Sequence, residues 1–271
     1  MRLFRLLYRA GGIWFGREAD IHAAALAYFV PFALTPLFLL SITFVGMLIG
    51  GNEVATLLLG WGNVIDPELT ALLDTSVRNF TVLTTTYMVP LFAILFFSLM
   101  IIVSLNSLGA GLHKVWNVHA HGFKNIIERS IRSLLFVLLL QAYLVCIIML
   151  NRTVTYIAHV PVVQLLELFY PVLIFFTTLV LITLGYGLIP VAAPSFRARL
   201  YGALVASVLF FFTKELVAIH SAASPIPDVF GAAGLIILLL VWIYVSASII
   251  LYGAAFAAAY EESNGRLVVT K

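Results

Sequence analysis

"VFGAAGLIILLLVWIYVSASIILYGAAFAAAY", residues 229–260, runs for thirty-two positions without an Asp, Glu, Lys or Arg. The hydrocarbon core of a bilayer is roughly 30 Å thick and an α-helix rises about 1.5 Å per residue, so about 20 apolar residues cross it. Residues 234–260 exceed that length, and five more blocks reach it near residues 21–49, 88–112, 133–157, 165–188 and 200–219. Composition says the same. The chain is 63% hydrophobic and 10% charged, where a soluble domain has about 45–50% and 25%. Lipid is therefore the solvent for most of the chain. The expected fold is all-α, a polytopic membrane bundle of six transmembrane helices forming a single domain over residues 1–271.

Orientation follows from the basic residues. Arg2, Arg5, Arg9 and Arg17 precede the first span, and Lys114, Lys124, Arg129 and Arg132 lie between the second and third. Arg197 and Arg199 separate the fourth and fifth, and Arg266 and Lys271 follow the sixth, so twelve of the fifteen basic residues share one side. Positive residues stay on the cytoplasmic side, which places both termini there.

Two segments are amphipathic without spanning. In residues 1–17, Arg2, Arg5 and Arg9 fall within about 60° of the helical wheel, opposite Leu3, Phe4 and Leu7. Such a helix rests at the interface with its arginines among anionic headgroups. Lys114, Lys124, Arg129 and Arg132 are expected at the same headgroup level. Residues 51–87 form the longest connection. Asp66 caps, Pro67 opens and Leu69, Leu72, Leu73, Val77 and Phe80 stripe an extracytoplasmic amphipathic helix.

Polar residues within the apolar blocks are the candidate sites, because a charge at the bilayer centre costs about 3 to more than 10 kcal/mol. "FFFTKELVAIH", residues 210–220, holds Lys214 about 21 Å from Leu200 along the helix. A water-filled cavity, a buried pair, or a helix end fraying into headgroups would each accommodate it. Glu215, or Glu167 at the start of the fourth span, is a candidate counter-ion, with His220 nearer the outer surface. Asn106 and Gln141 read as interhelical hydrogen-bonding groups. Ala23, Ala24 and Ala27, with the pair Gly253 and Ala257, mark faces where helix backbones approach closely, within one subunit or in a homo-oligomer.

Other chemistry lacks its residues. A single cysteine, Cys146, permits no intrachain disulfide and no Cys-based metal site. His113, His119 and His121 cluster without a carboxylate to complete a ligand set, so neither metal nor cofactor is expected. There is no Walker motif, nucleophile elbow or HExxH, and the inner loops are too short to hold RNA. The arginine-studded N-terminus is not expected to be a signal peptide. Neither an enzyme nor a nucleic-acid partner is expected.

Three stretches together carry a resemblance: "DIHAAALAYFVPFALTPLFLL" entering the first span, "GLHKVWNV" after the second, and the stretch quoted at the start. The chain resembles the YihY/BrkB membrane proteins, once labelled ribonuclease BN-like, over almost its whole length. The resemblance implies a bacterial inner-membrane protein with six spans and cytoplasmic termini. It also implies an envelope or virulence role, with transport of lipid or lipopolysaccharide precursors proposed for some members. The chain departs from the family pattern in three places. Phe211 replaces an acid one turn before the lysine, Ala255 replaces the glutamate of Gly-Ala-Glu, and His113 replaces an asparagine. A mechanism built on those acids does not transfer. The expected function is translocation of an anionic amphiphile, a lipid or lipopolysaccharide precursor, past a site near Lys214. A non-transporting envelope scaffold is the alternative.

Overall fold

The computed structural model describes residues 2–33, 88–118, 131–146, 163–190, 192–223 and 232–265, with the side chains of 2, 88–98, 163–170, 214–223, 232, 233 and 235 left aside. These residues form seven helices and no strand. They are α1 (Arg2–Gly16), α2 (Ala19–Ala33), α3 (Met88–Trp116), α4 (Ile131–Cys146), α5 (Val163–Leu188), α6 (Phe196–Ala223) and α7 (Ala232–Ser263). The windows Leu99–Trp116, Pro171–Leu188, Phe196–Thr213 and Ile236–Ser263 are long and apolar enough to cross a membrane. Helices α2 and α4 are shorter apolar helices that overlap the expected first and third spans. The rest of those spans, and the whole of residues 51–87, lie outside the described residues. The fold is a polytopic helical membrane protein.

Two compact units divide the chain. One comprises Met1–Pro31, Ile102–Leu140 and Leu168–Lys271, the other Phe32–Ile101 and Gln141–Glu167. The first holds the described core, and small residues explain how its helices approach. On α2, Ala19, Ala23, Leu26 and Ala27 are buried, the spacing of one helical face. Ala24 is exposed, since one residue on from Ala23 turns it about 100° away.

Helices α6 and α7 cross at two glycines. A β-carbon on Gly202 would lie 2.4 Å from the Gly253 carbonyl oxygen and 2.9 Å from Ala257 Cβ. Ala203, Ala206, Ala254 and Ala258 are buried around this crossing. Gly253 and Ala257 are thus occupied inside the subunit and offer no face to a second copy.

The end of α3 accounts for "GLHKVWNV". Gly111 lets α2 and α7 approach, with a β-carbon there only 3.1 Å from His22 Cβ and from Leu251 Cδ2. Leu112, Val115 and Trp116 are buried. Asn117 takes a left-handed conformation, φ 55°, which asparagine tolerates better than most residues. Its N–H reaches Lys114 O at 3.2 Å and the Val118 N–H reaches His113 O at 2.9 Å, the paired bonds of a Schellman stop. Within a span, Thr183 Oγ1 donates to Leu179 O of its own helix at 2.7 Å, an internal partner of the kind a medium without water favours.

Candidate functional site at the charged end of the first unit

The last turn of α7 gathers its neighbours through two adjacent carboxylates. Glu261 is buried and accepts from Ser195 Oγ at 2.8 Å. Ser195 is the N-cap of α6, its Oγ accepting from the Ala198 N–H at 3.4 Å. The carboxylate therefore sits where the α6 N–H groups and helix dipole favour negative charge. Glu262 turns towards α1. Arg17 donates to its Oε1 at 2.9 Å, and Arg9 approaches its Oε2 at 3.6 Å.

Arg17 also donates to the Val115 carbonyl, so one guanidinium ties α1, α3 and α7. Next to it, Glu18 has φ 54° at the corner between α1 and α2. Lys114 Nζ donates to Glu18 at 2.9 Å, with both side chains more than half exposed. That hydrogen bond, with the lysine charge, holds the Glu18 carboxyl below the usual carboxylate range.

Beneath these charges lies a buried aromatic pair. Trp116 and Tyr186 meet edge to face, centroids 5.8 Å apart. The Trp116 indole N–H donates to Ala254 O at 2.9 Å, and the Tyr186 hydroxyl donates to Ile250 O. Both therefore anchor on the backbone of α7. Arg199 lies along the last turn of α5. A β-carbon on Gly187 would fall 2.0 Å from Arg199 Nη1, so glycine makes the room, and the cation stands at the negative end of α5.

Helix α1 presents one face to the core and one to the outside. Ala10 is buried, and Leu6, Leu7, Ile13 and Trp14 pack against the core, while the Leu7 carbonyl accepts from the Tyr252 hydroxyl at 3.0 Å. Leu3, Phe4, Tyr8 and Phe15 are exposed. The apolar group Leu3, Phe4 and Leu7 is therefore divided, with Leu7 turned inward. A single wheel face cannot show that split, because the packing partner comes from α7.

The remaining candidates are spread along the chain. Lys214, Glu215 and His220 lie on the last third of α6, Glu167 on the first turns of α5, and Asn106 midway along α3. The side chains of Lys214, Glu215, His220 and Glu167 are outside the described residues. Lys124, Arg129, His119 and His121 also lie outside them. Arg132 reaches towards Pro190 O at 3.5 Å, and His113 is buried on α3. Sequence reasoning missed Glu261 and Glu262, although two acids ending a charge-free helix on the basic side are a signal for pairing. It also missed the Pro194–Ser195 cap.

A family model described as virulence factor BrkB matches residues 16–269. The chain belongs to the BrkB family. It is also 41% identical over 78 residues to a UPF0761 membrane protein of Psychromonas ingrahamii, covering 28% of this chain and 27% of that one. A UPF0761 membrane protein of Idiomarina loihiensis is 36% identical over 87 residues, covering 32% and 31%. Each match spans less than a third of the curated relative. No solved structure matches. The BrkB match takes in Arg17, Glu18, Lys114, Trp116, Tyr186, Glu261 and Glu262, all within residues 16–269.

Proposed function

We propose that this BrkB-family protein sits in a bacterial cytoplasmic membrane with both termini inside and moves an anionic amphiphile past a polar site near Lys214. The substrate class is a lipid or lipopolysaccharide precursor carrying phosphate or carboxylate, and the role is not enzymatic. One observation carries the reading: α6 runs unbroken from Phe196 to Ala223 through Lys214. The helix backbone does not end at the lysine. Lys214 lies about 27 Å from Phe196, with nine helical residues still to come. A cation at that depth needs a partner or water. Glu215 on the same helix, Glu167 at the start of α5, and an incoming headgroup are the candidate partners, with Asn106 and His220 as polar neighbours.

The test is translocation of a fluorescent phosphatidylglycerol analogue in proteoliposomes. Wild type exceeds empty vesicles, and Lys214→Ala falls to the empty-vesicle rate with unchanged membrane abundance. Wild-type rates in Lys214→Ala would reduce the lysine to a residue that snorkels to the interface.

The close crossing of α6 and α7 at Gly202 and Gly253 favours a second reading. It leaves no room for a headgroup between the two helices at that crossing, as suits a non-transporting envelope scaffold. Rescue of a deletion phenotype by Lys214→Ala would select that reading.

A further inference from the structure

An open cleft of ≈ 440 Å³ runs along α1, with Tyr8, Arg9, Gly12, Gly16, Arg17 and Glu262 among its lining residues. Two guanidiniums share one carboxylate there, at 2.9 and 3.6 Å, so the cleft keeps a net positive charge. The longer separation exceeds a hydrogen bond and leaves Arg9 donors for another acceptor, on a side chain about half exposed.

Two exposed glycines form part of the floor. A β-carbon on Gly12 or Gly16 meets nothing within 4 Å, whereas Gly202 and Gly253 are both forced by neighbours. The exposed space beside Gly12 and Gly16 leaves room for a headgroup next to the two guanidiniums. Phe4, Tyr8 and Phe15, exposed by 77, 79 and 73%, lie within about 40° of one another on the wheel, and Tyr8 also lines the cleft, so the arc and the cleft adjoin. When that aromatic arc sinks into the interface, the cleft stands level with the headgroups.

We infer that this cleft binds the phosphate of an anionic phospholipid, held by Arg9 and Arg17 against the Gly12–Gly16 floor. Charge complementarity and the adjoining aromatic arc favour a lipid over a free anion. The site is separate from Lys214 and does not rest on transport.

Native mass spectrometry of the full chain in detergent, titrated with phosphatidylglycerol, tests it. Phosphatidylglycerol binds in preference to phosphatidylcholine of the same chains, and Arg9→Gln weakens it about fivefold, the worth of one interfacial cation. Gly12→Leu fills the cleft and also weakens binding, yet raises the melting temperature because leucine is the better helix former. That opposite movement excludes misfolding as the cause. Lys214→Ala binds as wild type, which separates this site from the proposed translocation. Unchanged binding in Gly12→Leu, equal binding of phosphatidylcholine, or full displacement by inorganic phosphate would each overturn the proposal.

Discussion

The Tyr186 hydroxyl occupies the space that a side chain at Gly253 would need: an added β-carbon would stand 2.6 Å from that oxygen. The same β-carbon would lie 2.7 Å from Gly202 O and 2.8 Å from Ala206 Cβ. Helices α5, α6 and α7 thus converge on a single missing methyl group. Two of the three obstacles, the Gly202 carbonyl and the Ala206 β-carbon, cannot swing aside.

Gly253→Ala should therefore destabilise the fold by about 1–3 kcal/mol, the usual cost of overpacking. Gly202→Ala should do the same, since its β-carbon would meet the Gly253 carbonyl at 2.4 Å. Gly12→Ala, with open space around it, should instead stabilise α1 by up to about 1 kcal/mol. Thermal unfolding in detergent reads all three. Equal effects at the three glycines would refute the crossing.

Tyr186→Phe should cost less than Gly253→Ala. The Ile250 carbonyl lies inside α7 and keeps its helical donor when the hydroxyl goes. Interhelical side-chain hydrogen bonds in membranes average about 0.6 kcal/mol. A loss well above that in the same unfolding measurement would mean that the hydroxyl does more than staple α5 to α7.

Much of this was legible from local sequence. Uninterrupted apolar runs mark the spans, because lipid leaves a chain few alternatives to helix. The packing role of Gly253 and Ala257 shows in their four-residue spacing, but Gly202 stands in ordinary apolar sequence and its partner is known only once α6 and α7 cross. Charge pairing was the harder matter. Arg9 and Lys114 read as headgroup contacts from their position in the charge bias. In the fold, Arg9 stands beside Glu262, and Lys114 bonds Glu18 from 96 residues away. No periodicity encodes a partner at that separation. Lys214 was conspicuous for the opposite reason, being a charge in an apolar block.

Asn117 closes α3 in the left-handed region, so substitutions there should sort by backbone preference rather than by size or polarity. Asn117→Gly should be neutral or slightly stabilising, whereas Asn117→Val should cost about 1–2 kcal/mol, the penalty of a β-carbon in that region. Unfolding of both variants beside wild type checks the order. Valine tolerated as well as glycine would mean that α3 does not end in this turn.

The buried carboxylate of Glu261 should prove more costly to remove than the cap it supports. Ser195→Ala removes the side-chain bond to the Ala198 N–H and should cost about 1 kcal/mol. Glu261→Ala removes the Ser195 partner and the negative charge at the α6 N-terminus as well, at about 1–3 kcal/mol. Since the two residues share a bond, the double variant should lose less than the sum of the singles. Strict additivity in a double-mutant cycle would refute the coupling.

The Lys114–Glu18 bond gives the fold a pH response of determined sign. The Glu18 carboxyl is held below its ordinary value in the folded chain, first by the hydrogen bond from Lys114 and then by the lysine charge. A depressed carboxylate stabilises the fold above its unfolded pKa, and that contribution fades as pH falls through the folded one. The loss therefore falls on the acid side of the ordinary carboxylate range, not near neutrality. Lys114→Gln removes the cause, so the difference in melting temperature between wild type and variant should be present at neutral pH and shrink on acidification. Because both side chains are exposed, added salt should shrink it too. A difference that grows as the pH falls would show that Lys114 stabilises the corner by some route other than Glu18.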